Sequence, residues 1–342
     1  MLIIAGPDEC VKMEISPNIF IVDLSLSYGL ISVSGSNAKH FLQGQLTSDL
    51  DDITPSTHGL GAYCNLKGRI RALFRVFFFQ ENYYLQVPLP VLPLVLPALQ
   101  KVARFSKVSL KDVSQEWRRY GIGIKTRRSK TSDTATLNLS AGEDRAFNEW
   151  LFGSQTVRIQ PGETHCSNNR VVLTLANSPP RFECLGTTAS FDEQWDHFSV
   201  NIKPGHLNDW KLLDIQAGIP EIWPETAQLL LPHYLNLPQL GAVSFNKGCY
   251  CGQEIIARME YRAKLSRKMV RASLEHAPSL PLPGTKLIDP NAPGEDVGTV
   301  ITAATVNNEH VEMLIETKYP EGQKSTLGLQ IGDHLIPVSI KP

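Results

Sequence analysis

The sequence predicts an α+β chain of two or three domains that ends in a small antiparallel β-barrel. Three observations carry this expectation. The 342 residues exceed what one ordinary core organises. Strand-like alternation and helix-like three/four spacing succeed one another along the first 265 residues. After Arg267 only short alternating runs remain, separated by Pro, Gly and Asn turns.

Each element can be justified in order. Residues 19 to 35 read as strand, turn, strand, with Ile31 and Val33 on one face and Ser32 and Ser34 on the other. Ser36 or Asn37 then caps a helix carrying Ala38, Phe41 and Leu42 and ending near Thr47. Residues 71 to 87 form a hairpin around Gln80, Glu81 and Asn82. Prolines 88, 90, 93 and 97 predict a connection, followed by a helix over 98 to 105. From 121 to 185 the pattern is β-rich, with a polar loop over 126 to 136. A helix over 207 to 217 puts Trp210, Leu213 and Ala217 on one face, and Gly218 and Pro220 end it. Strands are expected at 268–274, 285–288, 297–303, 310–316 and 335–340.

Composition narrows the function classes. Hydrophobic residues at 42% and charged residues at 20% exclude wholesale disorder and coiled coil. A formal net charge of −1 leaves no global field for nucleic acid or an anionic membrane, so such contacts must be local. MLIIAGPDEC has no basic residue ahead of its apolar patch, and no apolar run reaches the roughly 18 residues of a membrane helix. The expectation is a cytoplasmic protein without membrane contact. The 6 cysteines include no C-x-x-C pair and no complete metal-ligand set, and are expected as thiols.

Chemistry concentrates in FNKGCYCGQEIIARMEYR, residues 245 to 262. Gly248 and Gly252 permit tight backbone turns, and Gln253, Ile256, Ala257 and Glu260 have helical spacing, so Cys249 is expected at or just before a helix N-terminus. Free amides, the helix dipole and the Lys247 ammonium would favour a thiolate there, the dipole contributing about 0.3–1 kcal/mol. Alternatively, Cys249 and Cys251 are small apolar side chains filling a turn. Arg258, Arg262, Lys264, Arg267, Lys268 and Arg271 follow, with Glu260 the one acid among them. They suit a polyanion such as a polyglutamate tail or RNA phosphates, or else a solvated helix end. The 9 histidines show no spacing that selects a Cys–His hydrolase.

The 245–262 stretch resembles the K-G-C-Y-x-G-Q-E signature of the YgfZ group, folate-binding relatives of the glycine-cleavage T-protein, an aminomethyltransferase. DLSLSYGLISVSGSNAKHFLQGQLTSDL, AYCNLKGRIRALFRVF, DWKLLDIQAGIPEI and PHYLNLPQLGAVSFNKG extend the resemblance. It implies a three-domain T-protein-like architecture around a central opening for tetrahydrofolate, divided near 1–115, 116–265 and 266–342, with the first two discontinuous and the last the β-barrel. The implied role is an accessory protein for assembly or repair of iron–sulfur enzymes, including those that methylthiolate tRNA. Its partners would be folate, iron–sulfur enzymes or assembly proteins, and tRNA indirectly.

Carried onto this sequence, the resemblance makes Cys249 the functional thiol with Lys247 beside it. It places folate contacts at Tyr28, Trp210 and Gln216, with Gln253, Arg258 and Arg262 on the motif helix. The chain departs from the pattern at four points. Ala72 and Leu73 stand where the T-protein carries an acidic pair, which argues against the alternative of a folate-dependent aminomethyltransferase or demethylase. Gln216 replaces the usual glutamate, Cys251 the usual threonine and Ala263 the usual glycine.

Overall fold

The computed structural model describes residues 19–124, 151–152, 160–167, 169–177, 180–191, 202–262, 265–291, 294–307, 309–319, 327–332 and 334–341. The N-terminal decapeptide, the polar stretch 126–136, Ala263 and Lys264 lie outside the described residues.

The chain opens with β1 (Ile19–Asp23) and β2 (Tyr28–Ser34), which belong to different sheets. After α1 (Ala38–Gln45) come β3 (Gly59–Cys64), β4 (Ile70–Phe79), β5 (Asn82–Pro88), α2 (Leu92–Ala103) and β6 (Ser109–Asp112). These strands and β2 make a 5-stranded antiparallel sheet in the order β3-β4-β5-β2-β6. The pleat sorts its side chains. Ile31, Val33, Tyr63, Phe74, Val76 and Leu85 turn toward α1 and α2. Leu30, Ala62, Cys64, Leu73, Phe77 and Tyr84 turn the other way, into two further clusters. Burial on both faces explains why β4 reads as an almost unbroken apolar run.

Two details differ from expectation. The hairpin turn has two residues, Gln80 (φ 46°) and Glu81 (φ 64°), the pair of left-handed residues of a type I′ turn, and Asn82 already belongs to β5. Helix α2 begins at Leu92 instead of after Pro97. Pro93 falls in the first turn, where its missing N–H has no intrahelical partner to lose; Pro97 does forfeit one bond. The stripe Leu92, Val95, Leu99 and Ala103 buried on the sheet outweighs that loss.

A second sheet collects β7 (Trp117–Ile124), β8 (Thr164–Cys166), β9 (Arg170–Asn177), β10 (Pro180–Thr187) and β11 (Lys203–Pro204) around β1, in the order β11-β1-β7-β10-β9-β8. Only the β1–β11 pairing is parallel among these. Helix α3 (Leu207–Gln216) ends where expected, with Gly218 at φ 67°. Its Trp210 packs onto Gly121 of β7, where a Cβ would come within 2.6 Å of the indole. The following segment winds without long regular elements, burying Ile222, Leu230, Leu235, Leu237 and Tyr250 against Ala62, Cys64 and Ile70. It leads into α4 (Gln253–Arg262).

The last unit contains β12 (Lys268–Glu275), β13 (Lys286–Ile288), β14 (Gly298–Thr305), β15 (His310–Thr317), β16 (Gly328–Ile331), β17 (His334–Pro337) and β18 (Ser339–Ile340). Their order is β17-β16-β13-β14-β15-β12-β18, with every pairing antiparallel, and β17 returns near β12, so the sheet curls into a nearly closed barrel. Strand β16 has no counterpart among the expected strands. Among the described residues no helix is long and apolar enough to cross a membrane.

Gly121→Ala should lower stability by about 1–3 kcal/mol, because the indole above it is pinned and cannot retreat from the new methyl group. Urea unfolding at neutral pH measures the loss.

Candidate functional site

A narrow cleft lies where the two N-terminal sheets and α3 meet. Tyr28, Leu60, Leu73, Arg75, Gln86, Glu183, Trp210, Asp214, Pro220 and Glu221 line it. Tyr28, Arg75 and Gln86 arrive from positions that the first sheet turns away from its helix-covered face. The Tyr28 hydroxyl donates to Glu221 Oε1, Gln86 Nε2 donates to Glu183 Oε2 at 2.8 Å, and Arg75 stands 3.8 Å from Glu183. Arg181, with no solvent exposure, pairs with Asp214 at 2.9 Å and lies 5.6 Å from the Trp210 ring.

Burial raises the pKa of all three carboxyls in this network. Glu221 is pushed up to about 7, by burial first and by the charge of Asp214 second; donation from Tyr28 acts the other way. Burial and then Glu221 push the Tyr28 phenol upward, so it remains a donor.

The cysteine turn is anchored on four sides. Lys247 Nζ donates to the carbonyls of Leu46 (2.9 Å) and Ser48 (2.6 Å) just past α1, and lies 5.3 Å from the Tyr250 ring. Burial pushes its ammonium down to about 8. Tyr250 is buried in the core beside Cys64. Gly252, at φ 83°, sits so close to the 65–68 loop that a Cβ would meet Asn65 O at 2.6 Å and Gly68 Cα at 2.9 Å. Phe245 meets the Tyr261 ring edge-on at 5.9 Å. Cys249 is exposed and Cys251 half-buried; burial raises the Cys251 thiol, with Arg71 pulling the other way.

Three expectations about this turn need correction. The Lys247 ammonium serves the carbonyls after α1, and no hydrogen bond or ion pair joins it to Cys249 among the described residues. Helix α4 begins at Gln253, so Cys251 stands nearer its start than Cys249 does. Of the two glycines only Gly252 needs a left-handed backbone; a Cβ at Gly248 would meet nothing.

The remaining expected residues separate. Tyr28 and Trp210 line the cleft together, but Trp210 is 1% exposed, packed over Gly121 and beside Arg181, so it forms a wall and offers no open stacking face. Gln216 is exposed and does not line the cleft. On a helix, four residues beyond Trp210 returns to within about 40° of it, whereas six leads about 240° round, so Asp214 shares its face and Gln216 does not. Gln253 is half-buried, and Arg258 and Arg262 are exposed on α4, with Arg258 paired to Glu254 at 3.1 Å; none lines the cleft. The basic stretch is largely compensated: Arg267 holds Glu316 at 3.0 Å and Asp296 at 3.4 Å, and Arg271 holds Glu312 at 3.1 Å. Arg267 and Arg69 also border a wider cavity of about 310 Å³ beside the barrel.

Sequence reasoning missed Arg75, Arg181, Glu183, Asp214 and Glu221. Ala72 and Leu73 are buried and carry no acid, but the cleft draws its carboxylates from β10, α3 and the turn after it. The available signal was a charge inside an apolar run: Arg181 and Glu183 around Phe182, Asp214 between Leu213 and Ile215, Glu221 between Pro220 and Ile222.

Comparison with known proteins bears on the family and the fold. The chain is 31% identical over 254 residues to the tRNA-modifying protein YgfZ of Photobacterium profundum, covering 74% of this chain and 69% of that protein. It is 30% identical over 251 residues to the tRNA-modifying protein YgfZ of Edwardsiella ictaluri, covering 72% and 70%. No family model matches. The glycine cleavage system aminomethyltransferase T of Bartonella henselae superposes with a TM-score of 0.67 over 95% of this chain and 85% of its own, at 13% identity, so the two share a fold.

Gly252→Ala should cost about 2 kcal/mol or more, since it combines a left-handed backbone with a clash against backbone atoms; chemical denaturation checks it. Glu221→Gln tests the buried charge. Below the ordinary value of 4.5 Glu221 is protonated whether folded or unfolded. Between 4.5 and about 7 the folded protein keeps a proton that the unfolded chain releases, so wild-type stability falls as pH rises through this window. The advantage of Glu221→Gln over wild type should therefore grow by about 2 kcal/mol from pH 5 to pH 8 and then level off, as read from unfolding curves across that range.

Proposed function

This chain belongs to the YgfZ family, and from that premise we propose that it is a cytoplasmic folate-binding accessory protein that supports iron–sulfur enzymes, those that methylthiolate tRNA among them. Cys249 is its working thiol and the Tyr28–Trp210 cleft its site for tetrahydrofolate. The observation that carries the reading is that both features stand on one face of β3. Leu60 borders the cleft, and Cys64, four residues or roughly 13 Å along the same face, packs in the cluster that holds Tyr250 of the cysteine turn. A ligand in the cleft and a partner protein at the exposed thiol would thus act on one strand.

The cleft suits the proposed ligand by its donor and acceptor set. Among the described residues Glu221 Oε2 and Gln86 Oε1 are buried acceptors without a hydrogen-bond partner, and the reduced pterin edge is rich in N–H donors. Bound folate would bring one-carbon chemistry; the chain's own residues bind and orient it. The second reading, a one-carbon transferase, is favoured by the Glu221 carboxyl, whose pKa suits proton transfer near neutrality. Methylenetetrahydrofolate formation from an aminomethyl donor by the purified protein would decide for it.

In cells lacking the endogenous family member, Cys249→Ser should abolish the support of tRNA methylthiolation while leaving calorimetric binding of tetrahydrofolate unchanged, and Cys251→Ser should retain both. Full methylthiolation with Cys249→Ser would remove the thiol from the account, and absence of calorimetric binding would remove the folate.

A further inference from the structure

Charge in the cleft does not balance. Glu183 has Arg75 at 3.8 Å and Gln86 at 2.8 Å, and Asp214 has Arg181 at 2.9 Å. Two guanidiniums thus stand against two of the three cleft carboxyls, and the buried Arg119, outside the cleft lining, also acts on Glu183. Glu221, 8% exposed, has no ion-pair partner among the described residues; Lys211 of α3 acts on it only at longer range, its ammonium resting 4.5 Å from the Trp223 ring. Glu221 Oε1 accepts from Tyr28, while Oε2 is buried and, among the described residues, has no hydrogen-bond partner. The Trp223 indole N–H lies near enough to favour the ionised carboxylate but makes no well-formed hydrogen bond. A buried carboxylate without a partner is costly, and a group that lines a cleft can take its partner from a ligand.

Resting on the folate reading, we propose that Glu221, oriented by the Tyr28 hydroxyl, anchors the ligand by accepting from two adjacent N–H groups of an amidine-like edge, the 2-amino and ring N–H of a 2-amino-4-oxopteridine. Two oxygens about as far apart as two such hydrogens form the forked pairing that a carboxylate makes with a guanidinium. Gln216, where the resemblance placed a folate contact, is exposed and does not line the cleft, so it is not available for this pairing. The titratable groups around it are Tyr28 of β2, Arg75 of β4, Arg181 and Glu183 of β10, and Asp214 and Lys211 of α3. Binding of the N–H edge favours the ionised carboxylate, so complex formation releases protons from Glu221 at pH 6 to 7 and tightens as pH rises.

The test is calorimetric titration of the full-length protein with tetrahydrofolate at pH 6 and pH 8, in two buffers of different ionisation enthalpy. Glu221→Gln should weaken binding roughly 10- to 100-fold at pH 8 and abolish the proton release, as expected for losing hydrogen bonds to a charged acceptor. Gln216→Glu should bind as wild type does. Pterin should compete with tetrahydrofolate for the wild-type protein, and lumazine, which has a 2-oxo group in place of the 2-amino group, should compete at least 10-fold less well. If Glu221→Gln binds like wild type with the same proton release, or lumazine competes as well as pterin, the anchor is overturned while the folate reading stands. If wild type does not bind tetrahydrofolate at all, both fall.

Discussion

Matching buried charge governs how the two N-terminal sheets and α3 come together. Arg181 has no solvent exposure and Asp214 stands 2.9 Å away, one on β10 and the other on α3. Arg75 of β4 faces Glu183 of β10, which also accepts from Gln86 of β5. Apolar side chains around them tolerate small slips, but a buried ion separated from its partner costs several kcal/mol, so these pairs admit one register of sheet against sheet and helix against strand. The cleft exists because that register leaves the third carboxylate, Glu221, facing a gap.

The cysteine turn obeys a different constraint, that of unsatisfied backbone. The carbonyl of Leu46, the C-cap of α1, and that of Ser48, three residues past the helix, both accept from the Lys247 ammonium. Tyr250 fills the core, and Gly252 permits contact with the 65–68 loop. Three residues of the motif are thereby accounted for by folding alone. Cys249, between them, is an exposed free thiol. The motif holds the thiol outward.

Periodicity made much of this legible. The alternation of Ile31 and Val33 against Ser32 and the stripe of α3 follow from local spacing, and the β4–β5 hairpin follows from two apolar runs, buried on both faces, around a short polar turn. Where tertiary contact overrides local preference, spacing misleads: α2 runs through Pro97 because its apolar stripe is buried on the sheet. Long-range polar partnerships were illegible for the same reason. Lys247 is close to Cys249 in sequence, yet its bonds go to residues about 200 positions earlier. Glu183, Asp214 and Glu221 look like isolated acids until β10, α3 and the 219–222 turn converge.

The burial of Trp210 changes what kind of recognition the cleft can perform. An aromatic wall with one ring face on Gly121 and Arg181 alongside cannot take a flat heterocycle between itself and solvent without moving both. Moving Arg181 would separate it from Asp214, a loss that stacking, at about 1 kcal/mol, does not offset. A planar ligand must then enter edge first, its faces bounded by Leu60, Leu73 and Pro220 and its polar rim met by Glu221 and Gln86. Specificity in such a slot resides in the order of donors and acceptors along the rim, so a single misplaced acceptor on the ligand leaves a buried carboxylate oxygen facing another oxygen.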